Sequence, residues 1–184
     1  MGYRHTKDEI LDGAIEAAFD EGLSRLTFGR LAKRLGISDR VIVYYFPTKD
    51  DLITEVLVGL GVQLQATLAP AVSTQLTDHL ELLRAIWPVL ARDEADPVFA
   101  LFFEAAGLAA AGREPYRTFV PQLVEGWIAW AADRLRGTPA RRRSEAAAAV
   151  ATIDGLLMIR QLAGPDVAAL AARRIGVARA SRSG

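Results

Sequence analysis

The sequence predicts an all-α protein, with an N-terminal three-helix head over residues 1–52 and a C-terminal helical domain over residues 53–184. Three observations support this. Apolar residues recur at helical spacing along the chain. Capping residues, glycines and prolines punctuate that pattern where helices should start and stop. Residues 27–52 hold a short helical pattern, a turn containing Gly36, and a second short helical pattern, the outline of a helix-turn-helix.

The first helix opens on Thr6-Lys7-Asp8-Glu9, a capping box. Ile10, Leu11, Ala14, Ile15, Ala18 and Phe19 form its buried face, and Gly22 stops it. It supports the next two helices, with Arg4 and Lys7 placed to reach a nucleic-acid backbone; Arg4 reads more simply as part of a solvated arm. The second helix runs from about Phe28 to Leu35, with Leu31, Ala32 and Leu35 on one face. Thr27 offers its hydroxyl to a free N–H of the first turn, and Gly36 can take the left-handed conformation that ends a helix. Ser38 caps the third helix, Asp39 to Tyr45, which turns Ile42 inward with Ile37 and Phe46 to either side.

Asp39, Arg40, Val43 and Tyr44 are left on the outer side of that third helix. A recognition helix lies in the DNA major groove with its N-terminal residues against base edges. Arg40 can donate two hydrogen bonds to a guanine, a contact that discriminates by roughly 1–3 kcal/mol. Asp39 can accept from a cytosine amine or hold Arg40 in place. An ordinary core helix pair with a solvated charged face fits the same pattern. Phe46-Pro47 ends the helix, and Thr48 with Asp51 three residues on forms another capping box. Lys49 then falls in a first helical turn, where free N–H groups and a cation together suit a phosphate. The alternative is that Asp50 and Asp51 already offset its charge and Lys49 is merely solvated.

Leu26-Thr27, Leu31-Ala32, Leu35-Gly36-Ile37-Ser38 and the run Tyr45-Phe46-Pro47-Thr48-Lys49-Asp50-Asp51-Leu52 resemble the DNA-binding domain of TetR-family transcriptional regulators, over roughly residues 6–58. The resemblance implies a homodimer that binds a double-stranded DNA operator through the head and a small effector through a variable C-terminal domain. It puts the DNA contacts on Thr27, Arg30, Ser38, Asp39, Arg40, Val41, Val43, Tyr44 and Lys49. The chain departs from the family pattern at Val43, usually Tyr, at Tyr45, often His, and at Gly29, often basic. Tyr44 and Arg30 are the candidates to make up the missing contacts.

The helix from Thr48 can run to about Ala69, where Pro70 ends it. Leu52, Ile53 and Val56 belong to the head, and Leu60, Leu64 and Leu68 to the next domain. Gly59 and Gly61 make the joint compliant, each weakening the helix by roughly 1 kcal/mol against Ala. This shared helix is a natural transmission element, or a plain connector. Caps between Ser73 and Glu81 start a helix ending near Arg92, with Leu80, Leu83, Trp87 and Leu90 as its stripe and a kink at Pro88. Asp96-Pro97 opens another, and Glu114-Pro115 a further segment to about Arg136.

Leu64, Trp87, Phe99, Phe103, Glu104, Phe119, Leu123, Trp127 and Met158 are the candidate effector contacts. For any one of the large apolar groups, core packing is the more economical reading. Glu104 and Asp154 sit in apolar runs and need partners if buried; pairing within the fold is the first expectation for Asp154. Pro139 begins a helix to Leu162 that is apolar on more than one side, and Gly164-Pro165 leads to a last helix, Asp166 to about Arg179. Two such hairpins facing each other give a four-helix dimer interface. Its candidate residues are Val150, Ile153, Leu157, Val167, Leu170, Ala171 and Arg174. The polar tail from Ala180 reads as frayed.

Composition narrows the alternatives. The chain has 184 residues, zero formal net charge and no Cys, so thiolate metal sites and disulfides do not arise. With only His5 and His79 a His-rich metal site is excluded, and no cofactor is expected. Basic residues are nevertheless concentrated from Arg25 to Arg40, with Arg30, Lys33 and Arg34 between, and a local basic face suffices for phosphate attraction. The run Arg141-Arg142-Arg143 reads as a solvated first turn. The polar N-terminus lacks a signal-peptide core, and no uncharged apolar run reaches membrane-spanning length, so the cytoplasm is expected and no membrane partner. An all-α enzyme or carrier, and a helical module binding an acidic protein, are the competing readings. Neither shows a close nucleophile, base and orienter set.

Overall fold

The structure is a computed structural model that describes residues 5–178. Among these residues it holds no named strand and nine α-helices: α1 (Lys7–Glu21), α2 (Phe28–Leu35), α3 (Asp39–Tyr45), α4 (Lys49–Leu68), α5 (His79–Leu90), α6 (Asp96–Ala110), α7 (Tyr116–Ala132), α8 (Pro139–Ala163) and α9 (Pro165–Arg174). Short 3-10 turns follow α1 at Leu23–Arg25 and α4 at Ala69–Val72. The expectations for Arg4 and for the tail from Ala180 lie outside the described residues. The last helix ends at Arg174, earlier than the spacing suggested, where Ile175 N–H bonds back to Ala171 O at 3.0 Å.

The head forms as its caps dictate. Thr6 Oγ1 accepts from Glu9 N–H at 3.2 Å while Glu9 accepts from Thr6 N–H at 2.9 Å, the reciprocal box that satisfies two orphan donors. Thr27 Oγ1 accepts from Arg30 N–H at 3.3 Å. Gly36 closes α2 at φ 66° and ψ 31°, a conformation costly for a residue with a Cβ. Ser38 differs from expectation: its backbone is extended as an N-cap requires, but its side chain makes no cap bond. Fully buried Ile10, Ala14, Ala18, Leu31, Ile42, Leu52 and Val56 make the core of the head.

Contacts divide the chain into two units, one running to Leu64 and taking in Ala100–Val120, the other comprising Gln65–Phe99 and Pro121 onward. The first unit therefore keeps more of α4 than the expected break after residue 52. Ile53, Leu57 and Leu60 are buried, and Lys7 Nζ reaches Glu55 at 2.7 Å. A Cβ on Gly59 would lie 3.2 Å from Ile15 Cδ1, so this glycine admits the close approach of α1 as well as softening the helix.

In the second unit α8 packs against α5 and α9. Leu76 and the end of α7 exchange backbone bonds, Leu76 N–H to Arg134 O and Arg136 N–H to Leu76 O, both 2.8 Å. His79 Nδ1 meets Glu145 at 2.5 Å and its N–H donates to the same carboxylate at 3.0 Å. This pairing holds the Glu145 carboxyl below its ordinary range. Arg160, the one charged side chain buried among the described residues, donates to Asp96 at 2.6 and 2.9 Å and to Asp93 at 2.6 Å.

Two helical stretches, Lys49–Val72 and Pro139–Ala163, are long and apolar enough to cross a membrane by length and composition, contrary to the sequence expectation. No charge falls between Glu55 and Asp78. In α4 the apolar residues serve both units, since Val56 and Leu60 are buried in one and Leu68 in the other.

Candidate nucleic-acid interface

The outer face of α3 is open. Ser38, Asp39 and Arg40 are exposed, Val41 is half-buried, Val43 is 42% and Tyr44 79% exposed. Ile42 beneath them is fully buried, so the helix is fixed from one side and free on the other. Tyr45 donates its hydroxyl to His5 O at 3.2 Å, and its ring meets Tyr44 edge-on with centroids 4.9 Å apart. A large aromatic held outward by an anchored neighbour can lie against a sugar-phosphate backbone or a base edge. Gly29 leaves this face uncrowded, since a Cβ there would meet only Asp39 Oδ2, at 3.9 Å.

The basic residues sort into two groups. Arg30 pairs with Glu21 at 2.6 Å, and Arg34 with Asp20 at 2.7 Å and Glu16 at 3.5 Å. Those carboxylates hold the Arg34 guanidinium above its ordinary value. Arg30, expected on DNA, thus ties α2 to α1, and making a phosphate contact would mean giving up that partner. Lys7 is likewise occupied, with Glu55 and over the Phe46 ring at 5.5 Å. Arg25, Lys33, Arg40 and Lys49 are exposed and have no acidic partner among the described residues. The acids that could mask Lys49 are partly engaged: Asp51 accepts from Thr48 N–H at 2.9 Å and from its hydroxyl at 2.7 Å. Lys49 stays beside a helix N-terminus that can take an anion.

The residues expected on the effector fall in both units: Leu64, Phe103, Glu104 and Phe119 in the first, Trp87, Phe99, Leu123, Trp127 and Met158 in the second. Trp87 and Phe99 are buried, and Leu64, Phe103, Phe119, Leu123 and Trp127 are half-buried. Met158 is 44% exposed, which suits an outer helix face better than a cavity wall. Glu104 is engaged with backbone: it accepts from Leu23 N–H and Ser24 N–H, both 2.9 Å, and from the Ser24 hydroxyl at 2.6 Å. The expectation that it orients an effector is corrected accordingly. Sequence reasoning also missed Tyr116, buried in the first unit. Burial, reinforced by the nearby charges of Glu104 and Asp50, pushes its phenol up to about 12.

The interface candidates also divide. Ile153 and Leu157 are buried within their own chain and are withdrawn from the interface. Val150 and Ala171 are half-buried, while Val167, Leu170 and Arg174 are exposed. Met158, expected on the effector, and Ile159, Leu162 and Ile175 are exposed apolar residues that were not among the interface candidates. Ala151, Gly155, Met158 and Leu162 fall at helical spacing on the outer side of α8, all exposed, a signal the sequence did contain.

Asp154 has no hydrogen-bond or ion-pair partner among the described residues, contrary to the expected pairing, and burial alone pushes its carboxyl up to about 6. Because the folded value lies above the unfolded one, the unfolded chain loses this proton first. Ionised Asp154 therefore opposes folding, increasingly from the ordinary carboxylate range up to about pH 6 and fully above it. Since the side chain is only half-buried, Asp154→Asn stabilises by about 1–3 kcal/mol at pH 8 and has little effect at pH 4. Urea unfolding at the two pH values measures this; equal effects at both would show that Asp154 is solvated.

No curated protein matches the chain. A family model described as bacterial regulatory proteins, tetR family, matches residues 10–56, the stretch carrying the open α3 face and Lys49. Solved structures share the fold over nearly the whole chain. A Rhodococcus TetR-family transcriptional regulator aligns with TM-score 0.71 and 16% identity, covering 93% of this chain and 97% of its own. A TetR transcriptional regulator from Legionella pneumophila gives 0.66 and 18%, covering 95% and 97%. The multidrug binding protein EbrR, complexed with proflavin, gives 0.60 and 25%, covering 92% and 96%. Residues 10–56 thus carry a helix-turn-helix that matches the tetR family of bacterial regulatory proteins, and the chain as a whole shares the all-helical fold of these solved structures.

Proposed function

We propose that the protein is a homodimeric repressor, acting in the cytoplasm, that leaves its operator when a small, mostly apolar effector binds. The observation that carries the DNA half of this reading is the uncovered α3 face with exposed Arg40 and Tyr44, followed at the start of α4 by exposed Lys49, both cations being without an acidic partner among the described residues. Arg40 reads a base, Lys49 and the free Ser38 hydroxyl hold phosphates, and Tyr44 fills the role that Val43 cannot. The dimer half rests on exposed Leu162, Val167 and Leu170 along α8 and α9. Support for an effector comes from the aromatic content of the second unit, including Trp87 and Trp127, and from EbrR, which binds proflavin.

Two substitutions test the division of roles on the head. Arg40→Ala relaxes base preference at one position of each half-site, by about 1–3 kcal/mol. Lys49→Ala weakens binding about equally on all sequences and makes the salt slope smaller by about one unit. Binding measured over a set of single-base operator variants at several salt concentrations checks both. A Lys49→Ala protein with altered sequence preference and an unchanged slope would reverse the assignment. Release is tested by titrating proflavin with and without operator, selected beforehand from random duplex. Linkage requires DNA and ligand to weaken each other by the same factor; equal proflavin affinity in both titrations would show that it does not act as an inducer.

A further inference from the structure

We propose that Glu21, the last residue of α1, is an intramolecular competitor for DNA: it holds Arg30 of α2 in an ion pair that a backbone phosphate must break, and so lowers affinity and blunts its salt dependence. Glu21 acts through Arg30 as a positioning residue, and the inference rests on the DNA-binding reading above.

Both ions stand at the wrong ends of their helices. Glu21 closes α1, whose last turn holds no basic residue, and a helix C-terminus disfavours an anion. Arg30 lies in the first turn of α2, which holds no acidic residue, and a helix N-terminus disfavours a cation. Each is offset by the other: Arg30 Nη1 donates to Glu21 Oε2 at 2.6 Å, a contact wholly inside the first unit. A phosphate at the start of α2 would serve Arg30 and the helix end at once, since both attract an anion. The carboxylate of Glu21 therefore fills the role of a phosphate while DNA is absent.

The place of the pair brings it to the duplex. The start of α2 lies alongside the start of α3, where a Cβ on Gly29 would come within 3.9 Å of Asp39 Oδ2. A groove that takes the outer face of α3 thus carries its phosphates past the first turn of α2. The pair is open to exchange, with the Arg30 side chain 52% and that of Glu21 39% exposed; exposed ion pairs are weak enough to be given up for a stronger partner. Arg34 is held more firmly, by Asp20 at 2.7 Å and Glu16 at 3.5 Å, so the competition is assigned to Arg30 alone. The exchange has a signature in salt. A phosphate taken by a free cation releases about one counterion from DNA. A phosphate taken by Arg30 also uncovers the Glu21 carboxylate, which gathers a cation back, so the net release is smaller.

The test is a double-mutant cycle on the full chain: wild type, Glu21→Gln, Arg30→Ala and the two together. Each is titrated with operator that the wild type has selected from random duplex, at salt concentrations from about 50 to 200 mM. Both side chains are exposed, so all four proteins keep the core of the head. Glu21→Gln is expected to bind about two- to fivefold more tightly at the lowest salt, the range that release of an exposed ion pair allows, with a salt slope steeper by about one unit. Arg30→Ala is expected to stay within about twofold of wild type, yet to abolish both the gain and the added slope in the Glu21→Gln background. A gain that persists without Arg30 would show that Glu21 only repels DNA at a distance, and would overturn the proposal. So would an Arg30→Ala loss of equal size in both backgrounds, or an unchanged slope in Glu21→Gln, which is what a purely structural pair gives. A folded wild type that selects no duplex would instead overturn the DNA-binding reading, and this inference with it.

Discussion

Glu at position 157 should unfold the protein, whereas Glu at position 170 should leave a folded monomer. Both residues are leucines at helical spacing in the C-terminal hairpin, and the sequence gives them the same role. The structure separates them, with Leu157 1% exposed inside its own chain and Leu170 62% exposed on α9. A carboxylate at residue 157 would be buried without a partner, a cost of several kcal/mol that exceeds much of a typical domain's stability. A carboxylate at residue 170 stays in water in the single chain and becomes unfavourable only where a second copy covers it. Circular dichroism with sedimentation at micromolar concentration separates the two outcomes. A folded Leu157→Glu protein would show that α8 is wrongly oriented, and a dimeric Leu170→Glu protein would move the interface elsewhere.

Asp96→Ala should cost about 2–4 kcal/mol, while Asp93→Ala should cost under about 1 kcal/mol, although both carboxylates bind the same guanidinium. The Arg160 side chain is 5% exposed, against 36% for Asp96 and 94% for Asp93. Removing Asp96 takes away the bidentate partner and leaves a buried charge with one solvent-screened contact. Removing Asp93 leaves the bidentate pair whole. The partial exposure of Asp96 brings its cost to the low side of that for a wholly buried pair. Adding Arg160→Met to Asp96→Ala should restore most of the loss, because a neutral side chain of similar length needs no counter-ion. Urea unfolding of the four proteins measures this; equal costs for the two Asp variants would mean that Arg160 is better hydrated than its surroundings indicate.

The head was legible because its determinants are local. Thr6 with Glu9 and Thr48 with Asp51 act within one helical turn, and the structure contains the reciprocal bonds that each pair foretells. Gly36 ends α2 in the left-handed conformation that the turn required. What the sequence could not reveal depends on partners far along the chain. Arg30 looked like a backbone contact until its distance to Glu21 was known. Glu104 looked like a carboxylate stranded in an apolar run because its acceptors' partners lie at Leu23 and Ser24. In α8 the helical repeat identified apolar positions but not which side another helix of the same chain would cover, so Leu157, expected at the interface, is buried in its own chain while Leu162 is exposed.

The most direct test of the account is binding to random-sequence duplex, measured for the wild type and for Arg40→Ala/Lys49→Ala at about 50 and 200 mM salt. The account predicts that the wild type binds and loses affinity steeply as salt rises. It also predicts that the double variant binds more weakly at low salt and with a shallower slope, since two of the exposed, unpaired cations are gone. Absence of binding by a folded wild type at the lower salt, or a double variant with the same affinity and slope, would contradict the assignment of α3 and the start of α4 as the DNA-binding face.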